Sequence, residues 1–283
     1  MSSAAAAPLS PLGEDVRRLD RDRFLTALFA PSSRRDALFG LYAFNIHLSQ
    51  VASQVREPLL GRIRLQWWAD SLEAIVRGEV VPPHPVLTAL ADSVGRRDSV
   101  LERCLRSVRA RERDLEIEPF ADLSALLAYA GDTAGEITAA ALEILGVPAD
   151  LAAAAGRPAG TAFAIAGLLR SVAYAAGQGR LLLPRTMLEQ AHILPADVLA
   201  GRAGAGLAVV RPLVDEAGQC LRQARRLRRH VPRAAVSPLL VARLADGYLT
   251  ALARGGYDLR LRPWAERRGG VAGLLWARLT GAF

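Results

Sequence analysis

Apolar residues recur every three or four positions along most of this chain, and runs of alternating β-branched residues are absent. The pattern predicts helices almost throughout. Between Glu14 and Ala30, Val16, Leu19, Phe24, Leu25 and Leu28 form an apolar stripe among charged residues. Pro31-Ser32-Ser33 breaks the chain and offers a cap for a helix over Arg34–Arg56, carried by Leu38, Leu41, Leu48, Ala52 and Val55. Pro58 ends it. A further helix runs from Leu59 to Arg77 and closes at Gly78. Helices are then expected over Val86–Asp92, Asp98–Arg113, Leu123–Leu145, a central stretch opening at Asp150, Leu207–His230 and Pro238–Ala253. Gly201, Gly204 and Gly206 mark a loose segment. Residues 1–13 are Ala, Ser and Pro without period and read as a disordered leader. No linker divides the remainder, so residues 14–283 form one all-α domain, a helical bundle.

Composition sharpens this picture. The 283 residues are 51% hydrophobic but only 6% aromatic, so the core is aliphatic. The net charge is +8, and all 36 basic residues are arginine. Such a surface suits phosphate-bearing ligands, an anionic membrane or nucleic acid. The Arg-rich segments lack interleaved aromatics, which argues against nucleic acid. Cys104 and Cys220 have neither disulfide-framework nor zinc spacing and read as reduced, small apolar residues. The N-terminus is a poor signal peptide, and no stretch offers about 18 uninterrupted apolar residues.

Candidate chemistry is sparse. His47, His84, His192 and His230 show no metal spacing and no arrangement with serine and aspartate, and His84 reads as a solvated loop histidine. Asp132 and Glu136 lie four apart on a core helix and face the same way. They are either a metal-binding pair or partners for arginine. Trp67 and Trp68 either face a ligand or pack in the core. Arg103, Arg106, Arg109, Arg111 and Arg113 read as a solvated face. In the Leu207–His230 helix, Leu221, Ala224, Leu227 and Val231 form one line with arginines opposite. That helix lies either on anionic lipid or on the outside of the bundle. The apolar, basic tail GGVAGLLWARLTGAF touches a membrane or caps the bundle.

Two stretches carry a family resemblance. Arg35, Ala37, Leu41, Tyr42, Ala43 and Phe44 are in register with R-x-A-x-x-A-L-Y-A-F-C-R-x-x-D-x-x-x-D. Arg170, Gly179, Arg180, Leu183 and Pro184 are in register with Q-x-x-N-x-x-R-D-x-x-x-D-x-x-x-G-R-x-Y-L-P. Both are signatures of the squalene/phytoene synthase family, which the chain resembles over roughly residues 14–265. With YAFN and LGRIRLQWW it is also similar to a branch related to complex I assembly factor 6. The resemblance implies an isoprenoid synthase bundle around a central cavity. In that family four aspartates on two facing helices hold the magnesium that neutralises a departing diphosphate. Here Ser49, Ser53, Ser171 and Ala175 stand in their places, Gly167 replaces the asparagine, and Asn45 and Ile46 replace the cysteine and arginine.

The expectation is a catalytically degenerate member with no catalytic residue, no metal and no cofactor. Arg35, Tyr42, Arg170 and Arg180 are candidates for a vestigial phosphate or lipid pocket, or else form structural pairs with Asp132, Glu136 or backbone carbonyls. The resemblance further implies assistance to respiratory complex I assembly, through its subunits or intermediates, with peripheral contact at the inner face of a bacterial inner membrane and a cytoplasmic location. The alternatives are an active, magnesium-dependent prenyl transferase using Asp132, Glu136 and the Asp114–Glu118 segment, and a non-catalytic binder of an isoprenoid diphosphate or lipid.

Overall fold

The structure, a computed structural model, describes residues 9–94, 98–202, 206–259 and 271–280, and no strand occurs among them. The stretch read as one helix over 14–30 is two. α1 (Pro11–Leu19) and α2 (Arg21–Ala27) part at Asp20, whose carboxylate accepts the Arg23 backbone N–H at 3.1 Å and caps α2. α1 also begins inside the expected leader. Ser10 caps it by accepting the Gly13 N–H, and Pro11 fills a first-turn position that needs no donor. Residues 1–8 of that leader lie outside the described residues, as does part of the Gly201–Gly206 segment.

α3 (Ser32–Gln50) stops short of its expected end and passes into a 3₁₀ turn over Ala52–Gln54. α4 (Pro58–Arg77) is opened by its proline and closed by Gly78, whose φ of +71° suits glycine. α5 (Pro85–Val94) and α6 (Asp98–Ala110) follow, and a 3₁₀ turn covers Arg111–Leu115. The segment read as one helix over 123–145 is α7 (Leu123–Ala130), a π-turn over Gly131–Gly135 and α8 (Glu136–Ile144). α9 (Ala149–Gly177) is the long central helix. Then come α10 (Arg185–Gln190), α11 (Pro195–Leu199), α12 (Arg211–Arg226), α13 (Leu240–Arg254) and α14 (Val271–Thr280). Residues 260–270 and 281–283, which include the two ends of the apolar tail, lie outside the described residues.

α9 is the hub. It packs against α7, the π-turn, α8, α12 and α13. One apolar core surrounds it, from Ala152 and Ile165 to Leu213, Leu221 and Leu244. A second lies between α3, α4, α5 and α6, and α8 joins the two. By length and composition α9 could cross a membrane, with a mean hydropathy of 1.3 over 18 residues, yet half of that window is buried within the bundle. The apolar line of α12 is likewise spent inside. Leu213, Ala217, Leu221 and Ala224 are buried against the core, and its arginines form a solvated outer face. The lipid-facing alternative for this helix is therefore corrected, because its apolar side is covered.

The crossing of α9 over the π-turn and α8 leaves no room for side chains. A Cβ at Gly160 would lie 2.2 Å from the Ala134 carbonyl oxygen, and one at Gly156 would lie 2.7 Å from the Ala139 Cα. Gly167, on the same helix, has open space around it. Gly160→Ala should therefore destabilise the fold by about 1–3 kcal/mol or more through overpacking. Gly167→Ala should be neutral or stabilise by up to ~1 kcal/mol through helix propensity. Urea denaturation of the two variants measures the contrast.

Candidate functional site

A cavity of about 470 Å³ opens where the C-terminal half of α3 faces α9. Asn45, Ile46, Ser49 and Gln50 line it from α3, and Phe163, Ala164, Gly167, Leu168 and Ser171 from α9. The first aspartate position of each signature thus faces one shared space, as the resemblance implies. The second positions do not line it. Ser53 lies past the end of α3 on an exposed turn, and Ala175 is buried elsewhere on α9. Both cavity serines donate to their own helices, Ser49 Oγ to the Ile46 carbonyl at 2.8 Å and Ser171 Oγ to the Gly167 carbonyl at 2.9 Å.

The charged groups of this cavity come from residues that sequence reasoning did not select. Asp20, Arg23, Arg111 and Tyr129 complete its polar wall. Buried Arg23 donates to Asp20 at 2.8 Å, and its guanidinium sits 5.0 Å from the centre of the Phe163 ring. Arg111 pairs with Asp114 at 3.0 Å and donates to the Tyr129 hydroxyl at 2.8 Å, which in turn donates to Asp114 at 2.7 Å. Burial, the largest influence, raises the Tyr129 phenol well above its usual range. The Arg111 Nε is buried and has no hydrogen-bond partner among the described residues. A signal for Asp20 existed in the sequence, since an aspartate inside a helical pattern is a cap candidate. Nothing local separated Arg111 from its solvated neighbours.

Of the arginines kept at motif positions, none lines this cavity. Arg35 donates to the Ala30 carbonyl at 3.0 Å. Arg180 donates to the Asp114 carbonyl at 2.8 Å and borders a small neighbouring recess with Tyr129. Arg170 lies 3.7 Å from the Asp22 carboxylate and 4.2 Å from the Tyr248 ring centre. Tyr248 donates to Asp22 at 2.6 Å. Burial pushes the Asp22 carboxyl up, and Tyr248 and Arg170 offset only part of that. Tyr42 is buried near Arg23, and burial raises its phenol above the usual range. Arg35 and Arg180 thus bond backbone carbonyls, Arg170 lies against Asp22 and Tyr248, and Tyr42 is buried beside Arg23.

Asp132 and Glu136 bind other guanidiniums. Arg157 of α9 donates to Glu136 and, at 2.6 Å, to Asp132. Glu136 also accepts from Arg103 at 2.8 Å and Arg106 at 3.1 Å, while Arg103 reaches Glu143 as well. Burial raises the Glu136 carboxyl, but the hydrogen bonds and charges of Arg106 and Arg103 win and hold it below the usual range. The reading of Arg103 and Arg111 as solvated is corrected, because Arg103 is drawn inward by Glu136 and Glu143, and Arg111 by Asp114 and the Tyr129 hydroxyl. His84 is corrected too. It packs on Trp67, Trp68 and His47 at 5.1–5.6 Å between ring centres, and its Nδ1 accepts the Val86 N–H. Trp68 is buried edge-on to Phe44, and Trp67 is partly exposed.

The lining residues do not fit a magnesium cluster. Asp20 is the one carboxylate among those that line the cavity, and it is already neutralised by Arg23. No group of three or more His, Cys, Asp or Glu able to hold a metal occurs among the described residues. A larger groove of about 640 Å³, lined among others by Asp122, Met187 and Glu216, carries none of the motif residues.

The sequence model of the squalene/phytoene synthases matches residues 16–268. The chain is 27% identical over 275 residues to complex I assembly factor 6 of Bos taurus, covering 94% of this chain and 82% of that protein. It is 26% identical over 197 residues to the chloroplastic phytoene synthase 3 of Zea mays, covering 67% of this chain and 46% of that one. A solved dehydrosqualene synthase superposes with a TM-score of 0.80 at 15% identity, over 95% of this chain and 94% of that one. The likeness confirms the all-α isoprenoid synthase fold.

Because Glu136 titrates below an unfolded carboxylate, its contribution to stability is full above about pH 4.3 and is lost as pH falls through its lower folded value. Glu136→Gln removes the charge shared by Arg103, Arg106 and Arg157 and leaves Arg103 with Glu143 alone, and should cost about 1–3 kcal/mol at neutral pH. The same variant should lose less stability than the natural chain on acidification below pH 5, as denaturation at several pH values would show.

Proposed function

Since the chain belongs to the squalene/phytoene synthase family, we propose that it is a non-catalytic member that assists assembly of respiratory complex I at a membrane surface. The observation that carries the first half is the residue set at the cavity. Ser49, Gly167 and Ser171 face it where the family's signatures have Asp, Asn and Asp, and the two hydroxyl protons are spent on helix carbonyls. Ionising an allylic diphosphate leaves several negative charges on the departing group. Arg23 and Arg111 are each offset by a neighbouring aspartate, so the cavity offers little net positive charge in compensation.

The assembly role rests on the similarity to proteins named complex I assembly factor 6, with 27% identity to the bovine protein. The partners are then complex I subunits or assembly intermediates. The location is cytoplasmic and peripheral, at the inner face of a bacterial inner membrane. The reading as an active prenyl transferase with displaced carboxylates is disfavoured by the guanidiniums that occupy Asp132 and Glu136.

A second reading is favoured by one feature. The cavity wall joins the apolar Ile46, Phe163 and Leu168 to Arg111, whose buried Nε lacks a partner among the described residues. That combination suits a lipid with an uncharged or singly charged polar head, bound without turnover.

Incubation of the purified protein with farnesyl or geranylgeranyl diphosphate and magnesium should give no condensed product. Turnover by the natural chain would overturn the non-catalytic reading. A variant carrying Ser49→Asp, Ser53→Asp, Ser171→Asp and Ala175→Asp tests whether the cavity still accepts substrate, since product from that variant alone would isolate the missing carboxylates as the cause. Deletion of the encoding gene should lower the amount of assembled complex I and leave squalene and carotenoid content unchanged.

A further inference from the structure

The first half of α4 is apolar on two opposite faces. Gly61, Leu65, Trp68 and Leu72 form the buried one. On the other side of the same turns stand Leu59, Leu60, Ile63 and Trp67, which are 60%, 49%, 57% and 36% exposed. Their spacing of three and four residues makes them one continuous ridge. A helix that serves only a core has a single apolar stripe, so the second requires another apolar neighbour. The apolar line of α12, by contrast, is buried against the core.

The charges beside the ridge identify the neighbour. Arg62 and Arg64 immediately flank Ile63, which places them about 100° to either side of it on the helix. Both are exposed, and the exposed Arg56 and Glu57 just before the helix add no net charge. From Pro58 to Ala69 the sequence has no acidic residue. Asp70, at the far end of the ridge, is engaged by the Gln66 amide at 2.7 Å. Arg64 is fixed by donation to Gln54 at 3.1 Å. A line of exposed leucine, isoleucine and tryptophan with an arginine on either side is the pattern of an element lying in a lipid interface. The apolar side chains enter the border of headgroups and acyl chains, the indole rests at the headgroup level, and the arginine stems run upward so that their heads reach phosphates. The ridge projects from the protein, which suits a flat lipid surface.

We propose that the exposed face of α4, through Leu59, Leu60, Ile63 and Trp67 with Arg62 and Arg64, binds the protein to an anionic membrane surface. This inference rests on the membrane-surface part of the reading above and gives it a contact site on α4. It is independent of whether the cavity binds a ligand.

The test is co-sedimentation of the full chain with phosphatidylcholine vesicles made with or without phosphatidylglycerol. The natural protein should sediment with the phosphatidylglycerol vesicles and release as salt is raised. A Leu60→Ser/Ile63→Ser variant should bind about tenfold more weakly or worse, because burial of these two side chains drives insertion. An Arg62→Gln/Arg64→Gln variant should lose severalfold and respond less to salt. An Arg222→Gln/Arg226→Gln variant removes the same charge from α12 and should bind like the natural chain. All substituted side chains are exposed, and matching thermal melts establish that each variant is folded. Binding that survives the α4 substitutions but fails on the α12 pair would overturn the α4 assignment while leaving membrane association standing. No binding of the natural chain to either vesicle would overturn this inference together with the membrane part of the proposed function. A drop in complex I content on gene deletion would in that case still support the assembly role.

Discussion

The bundle depends on how closely α9 approaches the π-turn and α8. Gly160 meets the Ala134 carbonyl and Gly156 meets the Ala139 backbone at separations that exclude any side chain. Two backbones in such contact gain dispersion along their length, and the polar side chains nearest the glycines between them are the small hydroxyls of Thr138 and Thr161. The charged groups are displaced to the edge of the crossing, where Arg157 leaves α9 to bind Asp132 and Glu136. The π-turn over Gly131–Gly135 sits at the same place, and its extra residue re-aims the helix just before Glu136. Gly135 itself has the Arg157 carbonyl 3.0 Å from the position of a Cβ.

From that crossing the rest of the interior follows. α9 is held with one side against α8 and another against α12 and α13, so its C-terminal half faces α3 across the cavity. Glu136 and Glu143 draw Arg103 through the wall between the two cores. Arg103, Glu136 and Glu143 of this group are buried and hydrogen-bonded on several sides. Buried charge of this kind specifies the packing of its helices more than it adds to net stability. The family scaffold is thus retained with Asp132, Glu136 and Glu143 gathered at a structural junction, while the cavity has serine at the first aspartate position of each signature.

The surface divides along similar lines. Where apolar stripes meet α9 they are covered, and the arginines opposite them face water. α4 lies at the outer side of the second core and is covered on one face only, so Leu59, Leu60, Ile63 and Trp67 remain outside. One chain therefore carries a polar-walled cavity inherited from an enzyme family and an exposed apolar ridge bordered by arginine. Both are compatible with an assembly protein that works beside a membrane.

The sequence by itself determined the all-α class, most helix positions and the register of the two signatures. Helical period, proline and glycine breaks and motif spacing are local, and they survive folding. For the same reason the replacement of four aspartates by Ser49, Ser53, Ser171 and Ala175 was legible without coordinates. The tertiary structure alone decided that Ser53 and Ala175 do not join Ser49 and Ser171 at the cavity, since α3 ends at Gln50, before Ser53, and Ala175 is buried elsewhere. It decided that Asp20 splits the first helix and joins the cavity wall with Arg23 and Arg111. It also decided which guanidiniums hold Asp132 and Glu136, and that α12 turns its apolar line inward while α4 turns a second one outward. A periodic pattern says that a helix has an apolar face. Which neighbour covers that face, and which distant charge finds which partner, depends on contacts between residues tens of positions apart, and no local signal carries that information.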